Sequence, residues 1–180
     1  LNKVLITQWG PDWRRKFKHF EARPIAAASI GQVHRATLQD GTVLAIKVQY
    51  PGVADSIEAD VDNVASLLRM SNLFPSTLEI APLLDEAKKQ LSEEADYVRE
   101  AGQMRRYKKL LANDPVFLVP RPYASLSGQR ILAMDFISGQ SIEKLEAQPQ
   151  EVRDGAMSAL LDLVLRELFE FGYMQTDPNF

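Results

Sequence analysis

"PIAAASIGQVHRATLQDGTVLAIKVQYPG", residues 24–52, decides how this chain is read. Asp40-Gly41 sits between two apolar-patterned runs, 33–38 and 43–49. Both turn positions tolerate positive φ, so the stretch predicts a β-hairpin, ended by Pro51-Gly52. Lys47 stands in mid-strand between Ile46 and Val48, and strand alternation points it away from both. Ahead of the hairpin lies Ala26-Ala27-Ala28-Ser29-Ile30-Gly31, a small-residue loop with a single glycine. Three readings compete here: a phosphate loop that has lost its glycines, a phosphate loop of another kind, or a plain hairpin carrying a solvated lysine.

Working outward, a helical piece is predicted around 13–20, broken at Gly10-Pro11 and again at Pro24. A helix over 55–72 places Ile57, Val61, Val64, Leu67 and Leu68 on one face. A second helix over 82–111 carries Leu84, Ala87, Leu91, Ala95, Val98, Ala101 and Met104 at spacings of three and four. Two more strands are predicted at 116–119 and 130–136, around the polar turn 125–129, with Ser138-Gly139-Gln140 as a linker. The last helix, 150–171, ends at Gly172, which is well placed as its C-terminal cap. The order predicts a mixed α+β chain.

Composition narrows the chemistry. With no cysteine, disulfides, thiolate catalysis and cysteine-ligated metal sites are excluded within these residues. Two histidines, His19 and His34, leave little for a histidine metal cluster and are read as structural or surface residues. A net charge of −3 gives no reason to expect nucleic acid as a partner. No apolar run approaches the ~18 residues of a spanning helix. The chain begins at Leu1 and stops after Asn179-Phe180, and it is read as a piece of a longer protein.

Two further clusters carry candidate chemistry. On one continuous helix, Glu93, Asp96 and Glu100 would form a polar stripe, whereas Glu94 falls on the apolar stripe between Leu91 and Val98. A carboxylate facing a core needs a cation or a donor, which makes Glu94 a candidate partner for Lys47. After the last helix comes Gln175-Thr176-Asp177-Pro178-Asn179. An aspartate in a polar loop behind a capped helix is where phosphotransfer enzymes orient the acceptor hydroxyl. The asparagine that holds metal in such loops lies five residues later, beyond Phe180, so Asn179 is not that residue.

Four blocks, taken in order, resemble the UbiB family of atypical kinase-like proteins, also called the ABC-one or AarF family. They are 26–33 (AAASIGQV), 45–53 (AIKVQYPGV), 94–101 (EADYVREA) and 175–179 (QTDPN). The last looks most like the branch linked to ubiquinone biosynthesis in mitochondria and some proteobacteria. The resemblance implies a protein-kinase-like fold. Residues 1–133 would form the small lobe with family-specific helices, and residues 134–180 the hinge and the start of the large lobe.

The resemblance makes Ala26, Ala27, Ala28, Ser29 and Gly31 an alanine-rich replacement for a glycine loop. It makes Lys47 the phosphate lysine and Glu100 its ion-pair partner, an assignment that differs from the helical-wheel candidate Glu94. Glu94 and Asp96 match the family's Glu-x-Asp motif, Met134 stands at the hinge, and Asp177 is the catalytic-loop aspartate. The implied cofactors are ATP or ADP and Mg, with no magnesium ligand assigned within 1–180. A quinone precursor or lipid, ubiquinone-biosynthesis proteins and a membrane surface are implied partners. The implied location is a membrane, on the cytoplasmic side in a bacterium or the matrix side of the mitochondrial inner membrane in a eukaryote. Three alternatives stay open: a small-molecule phosphotransferase of the aminoglycoside or choline kinase type, a nucleotide-binding pseudokinase that docks partners, and an α+β interaction domain that binds no nucleotide.

Overall fold

The computed structural model describes residues 1–71 and 80–175. The chain divides into two compact units, one of Leu1–Tyr107 with Pro120–Phe136 and the other of Lys108–Val119 with Ile137–Phe180.

The first unit is built on an antiparallel sheet. Its strands are β1 (Phe17–Phe20), β2 (Ala26–Ala28), β3 (Gly31–Leu38), β4 (Val43–Gln49) and β5 (Ile131–Asp135). They run in the order β1-β3-β4-β5, and β2 pairs with the start of β3. The β3–β4 hairpin turns as its sequence predicts. Gly41 takes φ of +90°, and the Asp40 carboxylate accepts the Thr42 amide at 2.9 Å.

Alternation along β4 gives the sheet two buried faces. Leu44, Ile46 and Val48 join Ile131, Ala133, Val4, Leu5, Trp13 and Phe17 on one side. This side is closed by α1 (Asn2–Trp9) and a run of aromatic contacts through Trp9, Trp13, Phe17 and Phe20. His34 is fully buried and stacks on Phe20, with Nδ1 donating to the Glu21 carbonyl at 2.9 Å. Burial lowers its pKa, which keeps the ring neutral and structural. On the other side Leu132 packs with Ile30, Tyr97 and Ala101. Lys47, whose register partner is Leu132, belongs to this second face.

Three helices follow the hairpin: α2 (Val53–Ser71), α3 (Ala81–Glu94) and α4 (Tyr97–Leu110). The second unit holds a 3-10 turn (Ile142–Ala147) and α5 (Gln150–Arg166), which runs through a π-helical turn (Glu167–Phe171). Gly172 ends it in the left-handed conformation at φ 55°. In the same unit Arg166 bonds Asp114 at 2.5 Å. Asp114 Oδ1 also accepts the Val116 amide at 2.8 Å.

Several predicted elements differ in the structure. Residues 13–20 form not a helix but a 3-10 turn (Trp13–Lys16) followed by β1, and the helix lies earlier, at α1. Trp13, Phe17 and Phe20 repeat at helical spacing, but Trp13 lies on the 3-10 turn, and the register shift between Phe17 and His19 lets β1 bring both phenylalanines against it. Residues 116–119 are not a strand; Asp114 holds them as a capped loop, with Val116 and Leu118 exposed. On α2 the inward stripe is Ile57, Val61 and Ala65, while Val64 and Leu67 face out at 50% and 66% exposure. Residue 72 of the predicted helix lies outside the described residues. The helix predicted at 82–111 is two helices, α3 and α4, and their junction shapes the site.

Candidate functional site

The split is made by Asp96. α3 ends at Glu94, and Asp96 opens α4 by accepting the Val98 and Arg99 amides on Oδ1, each at 3.0 Å. Gln49, almost fully buried on β4, fixes the junction from the sheet side: its Nε2 donates to the carbonyls of Ala95 and, at 3.2 Å, Gln129. The break resets the helical phase. Glu94 then no longer belongs to the stripe inferred from a continuous helix.

On α4, Tyr97 and Glu100 are three residues apart and share a face. That face meets Lys47. Lys47 Nζ donates to both Glu100 oxygens, at 3.0 and 2.9 Å. The same ammonium lies 4.7 Å from the centre of the Tyr97 ring. The lysine side chain is 17% exposed and the glutamate 32%, so the pair is screened yet reachable. Lys47 is thus partnered by Glu100, and Glu94 by Ser29, whose Oγ donates to Glu94 Oε1. Glu94 is not the lysine's partner because two helices stand where one continuous helix is predicted.

The alanine block is not a loop but the edge strand β2. Ala26, Ala27 and Ala28 pair with Val33, Gln32 and Gly31, leaving Ser29-Ile30 as a two-residue turn. Ala26 and Ala27 are exposed, whereas Ile30 is buried at 8% and its carbonyl accepts the Tyr50 amide at 3.0 Å. The tip of this hairpin is therefore pinned into the second core beside Tyr97. Gly31 keeps an ordinary negative φ; its requirement is space. A Cβ there would lie 2.4 Å from the Val48 carbonyl oxygen and 3.0 Å from the Tyr97 hydroxyl.

Of the predicted site residues, the first unit thus gathers Ser29, Gly31, Lys47, Glu94, Asp96 and Glu100 around Tyr97 and the β2–β3 turn. Met134 lies on β5, in register with Ala45 of β4. Asp177 lies outside the described residues. Sequence reasoning missed Tyr97 as a site residue, although its place three before Glu100 was the signal. It also missed Gln49, a polar residue on the inner face of a predicted strand.

Asp96 also yields a separable expectation. In the full-length protein Asp96→Ala should lose about 1 kcal/mol of stability by denaturant unfolding, since the cap goes, while Asp96→Asn keeps it within a few tenths. An Asn variant as destabilised as the Ala variant would contradict the cap.

Comparison with known proteins places this arrangement. The whole chain, residues 1–180, matches the family described as the ABC1 atypical kinase-like domain. A rat protein named "Atypical kinase COQ8B, mitochondrial" is 46% identical over 99% of this chain and 34% of its own length. The yeast protein named "Atypical kinase COQ8, mitochondrial", from Saccharomyces cerevisiae, is 39% identical over 99% of the chain and 36% of its own. Among solved structures, that of an Rv3197–erythromycin complex from Mycobacterium tuberculosis superposes with a TM-score of 0.83 at 30% identity, covering 98% of this chain and 45% of that one. The chain spans 29%, 24% and 34% of three similar curated relatives, so it corresponds to a part of such proteins. With the kinase-like fold, the pairing of Lys47 with Glu100 and a family match over its full length, this chain belongs to the ABC1 atypical kinase-like family.

Proposed function

We propose that the protein carrying this chain is an atypical kinase or ATPase that binds ATP and supports ubiquinone biosynthesis. The observation that carries the reading is Lys47 held by Glu100 on the sheet, with Val33 between it and the alanine strand in register. An ammonium has three N–H donors, and Glu100 takes two, which leaves one for a phosphate oxygen. The family membership and the COQ8-named relatives support the ubiquinone link.

In this reading Lys47 neutralises nucleotide phosphates, and Glu100 fixes where its charge sits. The strand Ala26–Ala28 covers the phosphates, Met134 stands at the hinge, and Asp177 orients the acceptor hydroxyl or water. The described residues do not by themselves fit a magnesium site. No group of three or more His, Cys, Asp or Glu among them is placed to hold a metal, Asp96 Oδ1 serves the cap, and Glu94 is engaged by Ser29. No step here is therefore routed through the metal. A lipid or quinone precursor is the proposed substrate class. Membrane association, at the matrix face of the mitochondrial inner membrane or the cytoplasmic face of a bacterial one, is part of the proposal. Among the described residues no helix is long and apolar enough to cross a membrane.

The alanine strand supplies the test. Methyl groups restrict the backbone over the phosphates more than glycine does. Ala27→Gly in the full-length protein should change the ratio of ATP to ADP affinity in a direct binding titration with phosphate release measured alongside. An unchanged ratio would remove the alanine block from nucleotide selection. A second reading, phosphorylation of a small organic molecule, has one observation in its favour: the similar solved structure is of an erythromycin complex. Transfer of labelled phosphate to a macrolide would favour it.

A further inference from the structure

We infer that Tyr97 is a positioning residue for the phosphate lysine, acting through the face of its ring on the Lys47 ammonium. The inference rests on the nucleotide reading above and adds a residue to it. Three observations carry it. Lys47 Nζ lies 4.7 Å from the ring centre, within the range of a cation–π contact. The ring has no freedom to drift: Tyr97 is 0% exposed and packs with Ile30, Ala101 and Leu132. Its hydroxyl is buried without a hydrogen-bond partner among the described residues. With no bond made by its hydroxyl, what Tyr97 presents to Lys47 is the face of its ring.

The geometry explains why a ring is useful at this point. A lysine ammonium on a flexible four-carbon stem can follow the carboxylate or swing toward a ligand. Glu100 is the more exposed partner of the pair, at 32%, and its charge competes with a phosphate for the same donors. The ring lies against the ammonium without adding a competing formal charge. Burial, then the charges of Glu100 and Glu94, push the phenol above its ordinary pKa, so the platform stays neutral. Gly31 completes the device. With no Cβ it leaves room for the Tyr97 hydroxyl and the Val48 carbonyl at the end of the alanine hairpin. The lone glycine of the block thus provides clearance for the ring beneath the turn.

Graded fluorination separates this role from packing, because it withdraws charge from the ring face while nearly keeping its shape. The full-length protein would carry Tyr97→Phe, then 4-fluoro-, 3,5-difluoro- and 3,4,5-trifluorophenylalanine at the same position. Dissociation constants for magnesium ATP are read with the thermal midpoint. Tyr97→Phe is expected within about twofold of wild type, followed by a stepwise loss along the series reaching roughly five- to tenfold. The thermal midpoint should stay flat from Phe to trifluoro-Phe. Equal affinity across the series overturns the inference and leaves Tyr97 a packing residue, as does a Tyr97→Phe loss as large as that of the trifluoro variant. Lys47→Met serves as the control for the underlying reading. If it leaves ATP affinity unchanged, the nucleotide site itself is misassigned, whatever the fluorinated series does.

Discussion

Lys47→Met in the full-length protein should weaken magnesium ATP binding by roughly 10- to 100-fold, the range of one charge-assisted hydrogen bond to phosphate. Phosphate release should fall at least in parallel. Lys47 is screened at 17% exposure, fixed by two bonds to Glu100 and by the Tyr97 ring, and left with one donor. Methionine keeps most of the stem's volume, so the sheet face beside Leu132 stays filled. The fold should therefore survive, and circular dichroism of the variant should match wild type. Glu100→Gln should do less harm, because the amide still accepts from the ammonium while the competing charge is gone. Equal affinities for Lys47→Met and wild type would show that phosphate binds elsewhere.

The second large effect falls on a residue with no chemistry of its own. Gly31→Ala should destabilise the protein by about 3 kcal/mol, at the upper end of overpacking costs, read from the denaturant midpoint. The new Cβ would meet the Val48 carbonyl oxygen at 2.4 Å, and a backbone atom within a paired strand cannot rotate away. It also meets the Tyr97 hydroxyl at 3.0 Å, so relief by movement would tilt the ring beneath Lys47 and weaken ATP binding. Gly128→Ala is the matched control. There the Cβ meets only the Gln8 side chain, at 2.6 Å, and a flexible amide can turn aside at small cost. If both variants keep wild-type stability, Gly31 is not a clearance residue.

How much of this was written in the residues varied by element. The β3–β4 hairpin was legible because Asp40-Gly41 names its own turn and the flanking alternation sets both register and face. α5 was legible through its length and Gly172. The α3–α4 break was not, since neither glycine nor proline marks it. Ala95 suits a helix interior, and Asp96 reads equally as a surface residue or a cap until Val98 and Arg99 are seen donating to it. That one ambiguity shifted the helical phase and pointed to Glu94 rather than Glu100. α1 was hidden for the opposite reason: its neighbours Trp13, Phe17 and Phe20 imitate helical spacing, while Trp13 packs from a 3-10 turn and both phenylalanines from β1. From sequence Gly31 reads as part of an alanine-rich nucleotide loop, and only the approach of Val48 and Tyr97 shows its steric role. Lys47 stood out in the sequence, and Tyr97 was legible there only as the residue three before Glu100.

The central claim is that the Lys47 ammonium touches the phosphates of a bound nucleotide. An acyl-phosphate derivative of ATP tests it directly, since such a probe transfers its acyl group to a lysine amine lying against the terminal phosphate and marks it covalently. Digestion and mass spectrometry of the full-length protein should find the label on Lys47, with excess ATP preventing it. Label that spreads over surface lysines and ignores ATP, with Lys47 unmodified, would contradict the account.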